Sequence, residues 1–174
     1  GRHLRMQVIR PLIFALFTPS GQLLLNQFPY EFVKQDTRGI DYDPVSRRLL
    51  FWTSRTIGYI DLSRSSRDRV FKQAPPVIWL GIRGRDLEQA RWVNNGSHIV
   101  YTEASAVYLT ETQSFGSPQG HLISPIRRHS QIDYQPDTGT LFFLRPRGEL
   151  CSVRIGSPQT APRLPAFVGG ILPE

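Results

Sequence analysis

Four segments of this chain share one spacing of hydrophobic residues around a turn. In GIDYDPVSRRLLFWTS, residues 39–54, hydrophobic residues stand at offsets of 0, 2, 9 and 11 from Ile40, around a turn that contains Pro44. The four sets are Ile40, Tyr42, Leu49, Phe51; Ala90, Trp92, Ile99, Tyr101; Ile132, Tyr134, Leu141, Phe143; and Phe14, Leu16, Leu23, Leu25. All of these positions are hydrophobic, although hydrophobic residues make up only 40% of the chain. This repetition constrains the fold more than any other feature.

The spacing is typical of a half-buried antiparallel hairpin. Residues two apart in a strand lie on the same face of a sheet, and Pro, Asp, Asn and Gly between the two runs favour turn conformations. A third run follows three of the hairpins, as IGYIDL, AVYLTE and ELCSVRI, and YEFV follows the segment at Phe14. Each copy is therefore predicted to be a meander of at least three strands.

The repeat spacing also predicts how the chain is divided. The copies start near residues 14, 40, 90 and 132, which are 26, 50 and 42 residues apart. Their mean spacing is close to the roughly 40 to 45 residues of a propeller blade. The first interval is too short for four strands. We expect residues 12–156 to form the repeats, after a flexible lead-in at 1–11 and before a Pro- and Gly-rich tail at 157–174.

One copy resembles a known repeat. IDYDPVSRRLLFWTSRTIGYIDLSRSSRDRV resembles the repeat of YWTD-type (low-density-lipoprotein-receptor class B) propellers, with Phe51-Trp52-Thr53-Ser54 where that family has its signature. RWVNNGSHIVY and IDYQPDTGTLFF are closer to the WD40-like pattern. The resemblance implies an all-β fold, a β-propeller or partial propeller of about four repeat units. A β-sandwich or barrel is the alternative. A partial propeller would leave strand edges for another chain, or a further segment of its own chain, to complete.

The sequence contains none of the common motifs of catalytic or cofactor sites. There is no GxSxG, HExxH, P-loop or GxGxxG motif that opens a helix. The histidines lack the spacing of a metal site; they are His3, His98, His121 and His129. Asp41 and Asp133 are equivalent by the repeat, and with Asp43 they are predicted to cap turn amides. We therefore assign no catalytic, cofactor-binding or metal-binding residue, and the lone Cys151 is predicted to be an inert thiol in a strand.

Arginine is the prominent charged residue. The net charge is +7, from 21 basic and 14 acidic residues, and all basic residues except Lys34 and Lys72 are Arg. Arginines cluster in SRSSRDR at 63–69, in the loop at 81–89 and in IRRHS at 126–130. The candidate partner-binding residues are Arg64, Arg67, Arg69, Arg83, Arg85, Arg127 and Arg128. They suit an acidic protein segment or a nucleic-acid backbone; the alternative is that these loops are only solvated.

The sequence predicts a non-catalytic protein–protein interaction module on a propeller-like platform. A metal-assisted propeller hydrolase or lyase, and a nucleic-acid-binding domain that uses the arginine loops, are the alternatives. The longest apolar stretch, PLIFALF, is too short to cross a bilayer. We expect a soluble chain without a membrane span; a fragment of a larger protein is the alternative to a separate protein.

Overall fold

The computed structural model describes residues 5–10, 13–18, 20–25, 31–33, 36–63, 76–112 and 119–157. These residues form fifteen β-strands and no α-helix. Every strand pairing is antiparallel, which confirms the predicted all-β class. No helix long and apolar enough to cross a membrane occurs in the described ranges.

The strands form four sheets, and strands that are consecutive in sequence are neighbours in each sheet. Sheet 1 contains β1 Arg5–Arg10, β2 Ile13–Phe17, β3 Leu23–Leu25 and β4 Glu31–Val33. Sheet 2 contains β5 Gly39–Asp43, β6 Arg48–Trp52, β7 Thr56–Asp61 and β8 Val77–Arg83. Sheet 3 contains β9 Leu87–Val93, β10 His98–Glu103, β11 Ala106–Glu111 and β12 His121–Pro125. Sheet 4 contains β13 Asp133–Gln135, β14 Thr140–Leu144 and β15 Leu150–Arg154.

Three of the four sequence repeats are the first hairpins of sheets 2, 3 and 4. In sheets 2 and 3, the residues at offsets 0 and 11 are direct cross-strand partners, as Ile40 and Phe51 are in sheet 2. The residues at offsets 2 and 9 are also direct partners, as Trp92 and Ile99 are in sheet 3. The turns contain the left-handed residues that such short connections need, including Asn94, Asn95 and Gly96 between β9 and β10. The spacing therefore predicted strand register as well as strand existence.

The repeat that starts at Phe14 has a different register. It spans β2 and β3, which are the second and third strands of sheet 1, and Ala15 rather than Phe14 is opposite Leu25. The first strand of this sheet, β1, lies within the range expected to be a flexible lead-in. The sequences of β2 and β3, IFALF and LLL, contain no polar residue. Because both faces are apolar, a shift of one residue leaves the hydrophobic pattern unchanged, and the pattern could not fix the register.

The hydrophobic core lies between successive sheets. Leu49 and Phe51 of sheet 2 pack with Leu23 and Leu25 of sheet 1. The alternate residues of the same strand, Leu50 and Trp52, pack on the other side with Trp92 of sheet 3. A third cluster joins Val100 and Val107 of sheet 3 to Leu141 and Phe143 of sheet 4. Strand β6 is buried on both faces for this reason. The repeated offset residues of sheets 2, 3 and 4 thus face the preceding sheet.

Candidate functional site

The connections between strands emerge at two opposite ends of the sheets. Leu87 N donates to Ser54 O at 3.0 Å, which joins the β8–β9 loop to the β6–β7 turn. Leu62 N donates to Arg47 O at 2.9 Å, which places the end of β7 beside the β5–β6 turn. We call the first end the arginine face, and it includes the β6–β7, β8–β9, β10–β11, β12–β13 and β14–β15 connections.

The arginine face has a set of exposed guanidinium groups. Its members are Arg55, Arg83, Arg85, Arg127, Arg128, Arg145 and Arg147. Within the residues that the structure describes, none of these seven side chains forms an ion pair or a hydrogen bond. Their charges are therefore directed to solvent, where an unpaired guanidinium keeps its hydration.

Hydrogen bonds donated by backbone amides connect the loops of this face in a continuous row. Gly84 N donates to Arg55 O at 2.9 Å, and Arg85 N donates to the Glu103 carboxylate at 2.8 Å. Glu103 ends β10, and Ile126 N donates to Ser105 O in the following turn at 2.8 Å. The row therefore fixes the loops of sheets 2 and 3 relative to each other.

The same row continues into sheet 4. Arg127 N donates to Leu144 O at 2.8 Å, at the end of β14. The Arg127 Nη1 atom also lies 3.8 Å from the position that a Cβ atom would take on Gly148, in the β14–β15 turn. The arginines of three sheets are thus carried by loops that contact one another.

Three acidic side chains near the arginine face are already engaged, whereas Glu149 in the β14–β15 connection is exposed. Asp86 pairs with Arg38 at 2.8 Å, and Glu88 lies 2.8 Å from His129 Nδ1. Glu103 accepts the Arg85 amide. These contacts leave the seven arginines with an excess of positive charge on a face built from structured loops.

The candidate residues of the sequence analysis are only partly brought together. Arg83 and Arg85 share the arginine face with Arg127 and Arg128, but Arg64, Arg67 and Arg69 lie outside the described residues. Ser63 and Pro76, which flank that segment, lie at the opposite end of sheet 2, next to the β5–β6 turn. The sequence analysis missed Arg55, Arg145 and Arg147. Arg55 and Arg147 each stand fifteen residues after a repeat start, at Ile40 and Ile132.

The opposite end of the sheets contains a cavity of about 250 Å³. Asp41, Arg91, Asp133 and Tyr134 line it, together with the turns after β5, β9 and β13. Asp43 accepts the Ser46 amide at 2.8 Å, so this carboxylate caps a turn as predicted. Within the described ranges, no three His, Cys, Asp or Glu side chains are grouped closely enough to hold a metal ion.

Asp41 connects two sheets across this cavity. Its carboxylate accepts the Trp92 amide at 2.8 Å and pairs with Arg91 at 3.2 Å. Burial raises the pKa of the Asp41 carboxyl above its ordinary value, and the contacts with Trp92 and Arg91 offset this only in part. The role of Asp41 is therefore to join sheets 2 and 3, which differs from the predicted capping of a turn.

The raised pKa of Asp41 gives a pH-dependent prediction. The folded state holds this proton more tightly than the unfolded state, so the contribution of Asp41 to stability falls as pH rises through the folded-state pKa. We expect the unfolding free energy of Asp41→Asn, relative to the parent, to increase with pH above about pH 4 and then level off. Urea unfolding across this range measures the difference. Asp133→Asn controls for the change in net charge, and a difference that decreases with pH contradicts the assignment.

Comparisons with known proteins identify the fold. No family model matches the chain, and no curated protein matches its sequence. Among solved structures, the Cps50 (Swd1) β-propeller domain of Myceliophteria thermophila is similar, with a TM-score of 0.55 and 13% identity over 91% of this chain. This chain is a partial β-propeller. The similarity covers 57% of the Cps50 domain, so the chain spans little more than half of its length.

A second solved structure is also similar to this chain, but the similarity covers a smaller share of that protein. PorZ, an essential bacterial surface component of the type-IX secretion system of Porphyromonas gingivalis, is 17% identical, with a TM-score of 0.51 over 88% of this chain and 21% of PorZ. The predicted β-propeller or partial propeller of about four units is therefore confirmed, and the sandwich and barrel alternatives are wrong. The YWTD or WD40-like type of the repeat stays a prediction.

Proposed function

We propose that this partial propeller is a non-catalytic protein interaction module that binds an acidic segment of a partner on its arginine face. The observation that carries the proposal is the row of hydrogen-bonded loops bearing seven exposed arginines without ion pairs in the described part of the chain. A rigid platform loses little conformational entropy on binding, so the entropic cost of binding is smaller. The β-propeller neighbours support the platform, and propellers commonly serve protein interaction.

The chemistry of the face favours a segment with several carboxylates. A guanidinium can bind a carboxylate through two parallel hydrogen bonds. One exposed ion pair contributes only about 0.2 to 1 kcal/mol, so useful affinity requires several pairs at once. The spread of arginines over the loops of sheets 2, 3 and 4 matches an extended acidic segment better than a single acidic residue.

A protein partner suits the described surface better than a nucleic acid. Binding of single strands usually combines basic residues with exposed aromatic rings on which bases stack. Among the described residues, Trp79 has a substantially exposed aromatic side chain, at 51% exposure. It lies in β8 before Leu80, and the end of β8 that reaches the arginine face is the other one, at Arg83. No exposed aromatic residue lies in the described loops of the arginine face.

Charge reversal on the arginine face tests the proposal. We expect the variant with Arg83, Arg85, Arg127 and Arg128 all changed to Glu to bind a fluorescein-labelled Glu-rich peptide at least about tenfold more weakly. Its melting temperature should stay close to that of the parent, because exposed charges contribute little to folding. Fluorescence anisotropy measures the affinity, and circular dichroism measures the fold and melting.

Two further variants control the experiment. Arg154→Glu reverses an exposed charge at the opposite end of sheet 4 and should leave peptide affinity nearly unchanged. The variant with Arg64, Arg67 and Arg69 changed to Glu measures whether that segment contributes. Equal peptide binding by the fourfold variant and the parent would exclude the arginine face. Binding of labelled single-stranded DNA in preference to the peptide would support the nucleic-acid alternative instead.

A further inference from the structure

The turn between β9 and β10 contains the only Asn-Gly dipeptide of the sequence, Asn95-Gly96. Asn95 is exposed, and its backbone lies in the left-handed region with a φ of 54°. A backbone nitrogen can attack the side-chain carbonyl of a preceding asparagine, and glycine lacks the Cβ atom that hinders this approach. Asn-Gly is therefore the dipeptide at which an asparagine loses its side-chain amide most readily.

The packing of sheets 2 and 3 requires glycine at position 96. Gly96 is buried against the β5–β6 turn, where an added Cβ atom would overlap Ser46 Oγ and lie 2.9 Å from Ser46 Cβ. The φ of Gly96 is 77°, which strains any residue that has a side chain. The reactive dipeptide is thus part of the junction between the two sheets.

Polar contacts of the same turn also join the sheets. Gly96 O accepts a hydrogen bond from Arg48 Nη1 of sheet 2 at 3.3 Å and another from Thr112 Oγ1, directly after β11, at 3.2 Å. Thr112 Oγ1 lies 3.0 Å from Ser97 O as well. These contacts hold the native turn, so the Gly96 nitrogen reaches the Asn95 side chain when the turn opens locally.

We propose that Asn95 is a site of spontaneous deamidation, and that the reaction weakens the junction between sheets 2 and 3. The Gly96 nitrogen bonds to Cγ of Asn95, the Cγ–Nδ2 bond breaks, and ammonia leaves with the proton of the attacking amide. Water then opens the resulting succinimide at either carbonyl. The products are aspartate or isoaspartate at position 95, and nothing is oxidised or reduced.

Both products add a negative charge where carboxylates are already grouped. Asn95 lines the cavity together with Asp41, Asp43 and Asp133, and like charges at short range repel each other. Isoaspartate also lengthens the backbone by one methylene group, so the turn cannot keep its present path between Arg48 and Thr112. We therefore expect the modified chain to be less stable than the parent.

Peptide mapping by mass spectrometry of the purified chain, aged at mildly alkaline pH, tests the site. We expect deamidation at Asn95 to be at least about tenfold faster than at Asn94, whose next residue carries a side chain. An isoaspartyl methyltransferase should label the aged parent. It should not label aged Asn95→Gln, because glutamine would have to form a six-membered ring, which is much slower. Equal rates at Asn94 and Asn95 overturn the proposal.

Two matched threonine variants test the role of the turn contacts. Thr112→Val removes the hydroxyl next to Gly96 O and should speed deamidation of Asn95 at least about threefold, because the turn opens more often. Thr138→Val removes a hydroxyl that donates to Gln135 O at 3.4 Å in the corresponding turn of sheet 4. It should leave the rate at Asn95 unchanged. Equal rates in the two variants overturn the dependence on this turn.

Urea unfolding measures the effect on the junction of the sheets. Ion-exchange chromatography separates the aged chains by their added negative charge, and the isoaspartate form should unfold at a lower urea concentration than the parent. Asn95→Asp adds the charge without the extra methylene and should lose less stability. An isoaspartate form with the parent's midpoint overturns the predicted weakening. The turn lies at the end opposite the arginine face, so binding of the Glu-rich peptide tests the proposed function separately.

Discussion

Phe51→Ala is expected to lower the unfolding free energy by about 3 to 5 kcal/mol, because this residue fills the centre of the contact between sheets 1 and 2. Phe51 is at 0% exposure and packs with Leu49, Leu23 and Leu25. Its ring meets Trp79 edge to face, with ring centroids 5.3 Å apart. Truncation leaves a cavity between two sheets whose strands are hydrogen-bonded within each sheet and cannot easily collapse.

Urea unfolding followed by tryptophan fluorescence measures this loss. Val45→Ala is the control, since Val45 is 54% exposed in the β5–β6 turn and its truncation should change the unfolding free energy by less than about 0.5 kcal/mol. Similar midpoints for Phe51→Ala and the parent would mean that sheets 1 and 2 do not pack through this face.

Trp92→Ala should have a comparable effect on the contact between sheets 2 and 3. The indole ring is 5% exposed and packs edge to face on Tyr59, with ring centroids 5.6 Å apart. Its Nε1 donates to Arg48 O in sheet 2 at 3.1 Å. We expect a loss of about 3 to 5 kcal/mol in unfolding free energy, because both packing and a hydrogen bond between sheets are removed.

Trp92→Phe separates the two contributions. Phenylalanine keeps most of the apolar contact and removes the Nε1 donor, so this variant should lose less stability than Trp92→Ala. Urea unfolding of the three proteins gives the comparison. If Trp92→Phe and Trp92→Ala lower the unfolding free energy equally, the hydrogen bond to Arg48 contributes more than packing does. That result would contradict the assigned core between sheets 2 and 3.

The candidate surface was only partly predictable. Arg127 and Arg128 were recognised because they are adjacent in sequence, and Arg83 because it lies in a long insertion between repeats. The segment that contains Arg64 was grouped with Arg127 and Arg128 because both segments stand in linking positions, one after a third strand and the other before the fourth copy. Antiparallel strands alternate in direction, so the connection after a third strand leaves the sheet at the opposite end from the one after a fourth strand. The fourth strand of sheet 2, Val77–Arg83, therefore separates the two groups.

The burial of the aromatic residues was also only partly predictable from the sequence. Phe51, Tyr101 and Phe143, which occupy the same repeat position, are all buried. Tyr42 and Tyr134 belong to the same pattern but are only half-buried. They lie near the cavity at the ends of β5 and β13, where the sheets no longer cover them. Trp92 stands at the same offset and also lines the cavity, but it is buried because its ring packs on Tyr59 of sheet 2. The repeat identified the face of each strand, and the contacts with the neighbouring sheet decided how completely that face was covered.

The sequence by itself determined the first three strands of sheets 2 to 4, the register of their first hairpins and the face that each presents to its neighbour. These depend on the alternation of residues and on turn residues such as Asn94 and Gly96, which act over a few positions. Only the tertiary structure decided the register of the apolar sheet 1, the partner of Asp41 across 51 residues, and which arginines share one face. The physical reason is that these contacts depend on how whole sheets pack, and residues distant in the chain meet only after that packing has formed.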